Sequence, residues 1–143
     1  MSNRPPASHQ PQDTILARTR TIAVVGLSDR PNRPSYRVSR YMQQHGYRII
    51  PVNPEVQGAI LGEPVVPSLA DLPRPVDLVN IFRRPHLTDA PIDGAIEIGA
   101  PAVWLQLGIT NAPGLQRARD AGLLAVHDLC LMIEHRRWIE SRS

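Results

Sequence analysis

Residues 21–25 form a short apolar run, Thr21-Ile22-Ala23-Val24-Val25, that ends in Gly26. The chain then passes through Leu27-Ser28-Asp29-Arg30-Pro31-Asn32-Arg33 to a helix-opening Pro34-Ser35. A run of this length reads as a buried strand, and a glycine at its end lets the backbone turn sharply. Strand, tight loop and helix start together make an anion site, because unpaired backbone N–H groups and the helix dipole converge on one point. The pattern points to a nucleotide phosphate. The second and third glycines of G-x-G-x-x-G are missing, so the usual dinucleotide fingerprint is not present.

Strand-like and helical segments alternate along the rest of the chain. A helix carries Val38, Tyr41, Met42 and His45 at helical spacing and stops at Gly46. Strands are expected over 48–52, 65–66, 77–82, 102–105 and 123–126, with helices over 13–19, 68–72, 88–97 and 112–121. A final helix is expected from about Asp128, carrying Leu129, Met132 and Ile133. This alternation predicts an α/β domain, a Rossmann-like, doubly wound and mainly parallel sheet of five to six strands with helices on both faces. In such a sheet the ligand crevice lies at the carboxyl ends of the strands.

At 143 residues the chain has room for one compact domain. Polar, proline-rich residues 1–12 read as a disordered N-terminal tail, leaving 13–143 as the domain. No apolar run reaches the length of a membrane span, and one cysteine, Cys130, excludes an internal disulfide. The expectation is therefore a cytoplasmic protein without membrane association. All 16 basic residues are arginine, which removes lysine nucleophiles and favours bidentate phosphate contacts. The arginines are scattered and aromatic residues make up only 4% of the chain, which argues against nucleic-acid binding.

Five strand-end loops, beginning at Gly26, Asn53, Arg83, Gln106 and His127, should face one crevice. Ser28 can offer a hydroxyl to a phosphate and Arg33 a counter-charge at the helix start, against the alternative of a plain turn with a solvated arginine. An NAD site usually carries Asp or Glu at the end of its second strand, whereas Asn53 stands here between two prolines. Glu55 lies close enough to keep NAD open as a ligand. Arg83 and Arg84 are adjacent at a strand end, and Arg83 is the stronger candidate for a phosphate, Arg84 for a surface position. Gln106 and Gly108 either line the ligand or serve the loop backbone.

The cluster His127, Asp128, Cys130, Glu134 and His135 lacks metal-ligand spacing, because Glu134 and His135 are consecutive and no H-x-x-x-H pair occurs. No G-x-S-x-G elbow or other nucleophile–base pair is present. No catalytic residue and no metal ligand is assigned.

Several segments in register resemble the small single-domain CoA-binding proteins, and through them the CoA-binding N-terminal domain of the succinyl-CoA synthetase α subunit. They are Val25-Gly26-Leu27-Ser28, Asn32-Arg33-Pro34-Ser35-Tyr36, Ile50-Pro51-Val52-Asn53-Pro54, Ile81-Phe82-Arg83, Val103-Trp104-Leu105-Gln106-Leu107-Gly108, Asp128-Leu129-Cys130 and Ile133-Glu134-His135. The resemblance spans about residues 13–138 and implies a Rossmann-like domain holding CoA across its strand ends. It implies that Gly26, Ser28 and the Arg33-Pro34-Ser35 helix start take the diphosphate, and that Asn53 and Pro54 border the nucleotide. Arg83 would contact phosphate or adenosine, and Gln106 to Gly108 would lie near the pantetheine arm. Leu129 departs from the arginine typical of the closing motif. The reading that follows is a binding protein for CoA or an acyl-CoA, a carrier, sensor or regulator. A small enzyme acting on a CoA thioester or nucleotide, and an NAD-responsive binding protein, are the alternatives.

Overall fold

The computed structural model describes residues 10–142. Most of the tail expected over 1–12 lies outside them, and helix α1 already begins at Pro11 and runs to Arg18. Seven strands follow in chain order: β1 (Thr21–Val25), β2 (Arg48–Val52), β3 (Ala59–Ile60), β4 (Glu63–Pro64), β5 (Leu78–Ile81), β6 (Ala102–Leu105) and β7 (Leu124–Val126). The remaining helices are α2 (Pro34–Gln44), α3 (Asp89–Glu97), α4 (Ala112–Asp120) and α5 (Leu131–Ser141). None of these helices is long and apolar enough to cross a membrane.

Five strands form one parallel sheet in the order β2-β1-β5-β6-β7. The chain moves outward from β1 to β2 and then returns past β1 to β5. The order therefore reverses between β1 and β5, which opens a crevice at their carboxyl ends. This is the Rossmann-like α/β architecture expected from the alternation of elements.

Side-chain alternation along the strands divides the interior into two layers. Ile22, Val24, Leu78, Trp104 and Val126 face one layer, with Ile15, Leu16, Val38, Met42 and Leu131 from α1, α2 and α5 packed on them. Ala23, Val79, Ile81, Val103, Leu105 and Ala125 face the other, covered by Ile92, Ala95, Leu115 and Ala118 from α3 and α4.

Four local expectations are corrected. Val65-Val66 is not a strand: Val66 makes a single parallel bridge to Val52 on the outer edge of β2. Its N–H donates to Pro51 O at 3.0 Å and its carbonyl accepts from Asn53 N at 2.9 Å. The helix expected over 68–72 is one turn of 3₁₀ helix, Leu69–Asp71. The last helix starts at Leu131 rather than near Asp128, because Asp128 adopts a left-handed backbone with φ 58°. His45, placed on the apolar stripe of α2 by its spacing, is exposed where that helix ends.

Candidate functional site

Gly26 fixes the centre of the crevice. Its φ is +85°, and a Cβ there would lie 2.3 Å from the Phe82 carbonyl oxygen, so only glycine fits between the ends of β1 and β5. Its N–H donates to Val52 O at 2.9 Å, while Phe82 N–H donates to Val25 O at 2.9 Å. The loop that follows is shaped by its own hydrogen bonds. Ser28 N–H donates to the buried Ser35 hydroxyl at 3.0 Å, Arg30 N–H to Ser28 Oγ at 3.0 Å, and Arg33 N–H to Arg30 O at 3.0 Å. Arg33 takes the N-cap position of α2 with an extended backbone, and no side chain caps that helix end. Pro34 follows at the first helical position, where its fixed φ suits the helix and its missing N–H costs nothing.

These residues surround an opening of about 530 Å³. Gly26, Ser28, Arg33, Pro34, Ser35, Arg83 and Gln106 all line it, so seven of the ten sequence-derived candidates meet at one place. Arg30, Phe82, Arg84, Leu107 and Ile109 complete the lining. Four arginines thus border one opening, and none belongs to the three ion pairs found among the described residues. Such a lining attracts anions, and guanidinium groups match phosphate geometry.

A second, larger chamber of about 850 Å³ shares part of this wall. Val25, Val52, Pro54, Pro67, Leu69, Leu87, Ala90, Pro91 and Ile98 give it a largely apolar wall, with Ser68, His86, Asp89 and Glu97 as its polar members. Arg83 lines both spaces. Asp89 is already committed: hydrogen bonds from Asn111 and then Arg117 hold its carboxyl below the ordinary carboxylate range. Among the described residues no group of three His, Cys, Asp or Glu side chains is arranged to hold a metal ion.

Asn53 and Gly108 line neither space. The Asn53 side chain ties two loops together, its Nδ2 donating to Leu27 O at 3.0 Å and its Oδ1 accepting from Glu55 N at 2.9 Å. Gly108, at φ +83°, donates its N–H to Asp128 Oδ1 at 2.7 Å, which locks the turn after β6 to the turn after β7. Gln106 is buried, and its Oε1 accepts from Leu131 N–H at 3.4 Å at the start of α5. His127 Nδ1 accepts from Asn111 N–H at 3.2 Å, so its ring serves the loop before α4.

Sequence reasoning singled out neither Arg30 nor Phe82, and Arg84, expected at the surface, is exposed and lines the opening as well. The apolar chamber was missed too. The available signal was Pro67-Ser68, a turn pair directly after the apolar Val65-Val66.

Residues 20–136 match the family described as the CoA binding domain. The chain is 44% identical over 121 residues to the uncharacterised protein YneT of Bacillus subtilis (strain 168), covering 85% of this chain and 89% of that one. It is similar to the structure of cell-free ID.343 from Thermus thermophilus, with 39% identity, a TM-score of 0.85, and coverage of 90% of this chain and 98% of that one. It also shares its fold with part of the dinucleotide-forming acetyl-coenzyme A synthetase 1 of Ca. Korarchaeum cryptofilum. There the identity is 21% and the TM-score 0.65, over 74% of this chain and 25% of that one. With most of its length matched in sequence and in fold, the chain belongs to the CoA binding domain family.

Proposed function

We propose that this protein binds CoA or an acyl-CoA at the β1–β5 crevice and acts in the cytoplasm as a non-catalytic carrier, sensor or regulator. The observation that carries this reading is the pairing of an arginine-bordered opening with an apolar chamber that shares Arg83 with it. A ligand with a charged diphosphate and less polar arms needs both environments side by side. In this reading Gly26, Ser28 and the Arg33-Pro34-Ser35 helix start receive the diphosphate, with Arg83 beside them. Pro54 borders the nucleotide, and Asn53 supports that border by holding Leu27 and Glu55 in place. Gln106 lies along the pantetheine path, and Gly108 holds the turn behind it.

NAD is the less suitable ligand. The β2 end offers it no carboxylate at Asn53, whose amide is occupied by loop contacts on both sides. Titration calorimetry of the purified chain should show CoA binding at least about tenfold tighter than NAD, a gap of roughly 1.4 kcal/mol. Equal affinities, or tighter NAD binding, would overturn the reading.

A further inference from the structure

We infer that the rim of the crevice counts phosphoryl groups: Arg30 and Arg84 recognise a third phosphate beyond the diphosphate, the one that distinguishes CoA from dephospho-CoA. The inference rests on the CoA reading and deepens it.

Arg30, Arg33, Arg83 and Arg84 all border the same opening and none has a carboxylate partner among the described residues. Asp29, next to Arg30 in the chain, is exposed and belongs to none of the three ion pairs either. Like charges gathered at one mouth repel one another until an anion of matching charge enters. A diphosphate diester brings about two negative charges, which Arg33 at the α2 start and Arg83 are placed to meet. Arg83 is the half-buried member of the four, and its side chain lies over Gly26, Cδ being 3.2 Å from where a Cβ would stand. That position is central. Arg30 and Arg84 are exposed and come from two different loops, after β1 and after β5. They are surplus to a diphosphate and placed to clasp a phosphomonoester, which carries nearly two further charges at neutral pH.

The test compares CoA with dephospho-CoA by calorimetry, on the parent chain and on two variants. The parent should bind dephospho-CoA at least about tenfold more weakly, as expected for loss of exposed, partly screened arginine–phosphate contacts. The Arg30→Ala/Arg84→Ala double variant should bind CoA no better than dephospho-CoA, losing at least about tenfold more affinity for CoA than for dephospho-CoA. Arg83→Ala should weaken both nucleotides together, by about tenfold or more. Both arginines of the double variant sit on exposed loop surface, and thermal unfolding checks that it is folded. Equal affinity of the parent for the two nucleotides would overturn the inference and leave the CoA reading standing. So would a gap that survives the double substitution. Binding of neither nucleotide to the parent would sink the CoA reading and this inference with it.

Discussion

The two layers of the interior are built from different materials. Between the sheet and α3 and α4 the contacts are almost wholly aliphatic: Val79, Ile81, Val103 and Leu105 against Ile92, Ala95, Leu115 and Ala118. Between the sheet and α1, α2 and α5 the interior mixes aromatic and polar groups with the aliphatic ones. Trp104 donates its indole N–H to Leu129 O at 2.8 Å, and the Tyr47 hydroxyl donates to Leu16 O at 3.1 Å. His135, only 3% exposed, shares a 2.9 Å hydrogen bond with the Tyr41 hydroxyl and packs edge-on against the Tyr41 and Tyr47 rings. Asn80 lies on β5 with Val24 and Trp104 as its cross-strand neighbours, 0% exposed, and both ends of its amide lack a hydrogen-bond partner. The aliphatic layer depends on fit alone, whereas the mixed layer depends also on protonation and on polar satisfaction. Stability should therefore respond to different perturbations on the two sides.

The largest expected effect tests the aliphatic layer. Leu115 is 2% exposed, and Leu115→Ala should cost about 2–5 kcal/mol in denaturant unfolding, with the same loss at pH 7 and pH 5. A loss below about 1 kcal/mol would show that this layer collapses around cavities and is not the tightly fitted one.

The mixed layer should respond to acid. Burial, and then the neighbouring His45, push the pKa of His135 down from 6.5 to about 4. In the unfolded chain the ring takes up its proton near 6.5, so between these values the unfolded state binds more protons and stability falls as pH falls. The loss attributable to His135 should be about 1–2 kcal/mol on going from pH 7 to pH 4, allowing for solvent screening at the layer's edge. The groups around it set the background. Tyr41 faces it from α2, His45 from the cap of that helix, and Tyr47 from the segment after it. Arg136 stacks over Tyr41, and Glu134 pairs with Arg137. Asp13 on α1 has its pKa raised by burial and works in the opposite direction in acid. Replacing His135 by Phe isolates its share. An unchanged slope of stability against pH over 4–6.5 would remove His135 as the cause.

The smallest effect concerns Asn80. An amide with no partner contributes little that an apolar group of similar shape would not, so Asn80→Leu should change stability by no more than about 1 kcal/mol in either direction. A loss of 3 kcal/mol or more would mean that the amide is satisfied in solution and that this layer is held by polar contacts more than by its rings.

Much of this architecture was legible in the residues, for reasons that also mark where reading stops. The five sheet strands announced themselves because each is an apolar run buried on both faces. The β3–β4 hairpin did not, because its two-residue strands carry no pattern and only Gly58 and Gly62, at φ 91° and 78°, punctuate it. Val65-Val66 has strand composition, yet Pro51, a member of the edge strand β2, leaves that edge with few bonds to offer. The arginine-bordered opening was readable because chain order places every βα loop at the same end of a parallel sheet. The apolar chamber was not, because it joins the loop after β2, residues 67–70 and α3, whose proximity no local signal encodes. Glu134 and His135 are consecutive on α5, a spacing that gives no sign that a helix buries both. Both are buried, because α5 packs against α1 and α2 together.

The loop at the crevice is located by main chain, by the Ser28 and Ser35 hydroxyls and by the Asn53 amide, and not by the arginines that border it. Gly26 is held by its own N–H on Val52, by the close approach of the Phe82 carbonyl, and by the bond from Phe82 N–H to Val25. Nothing in that anchoring uses a guanidinium group. The arginines can be exchanged without shifting the frame that presents them, so a lineage can revise which anion it recognises by surface substitution alone. Gly26 is barred from such drift, because any side chain there would push the ends of β1 and β5 apart.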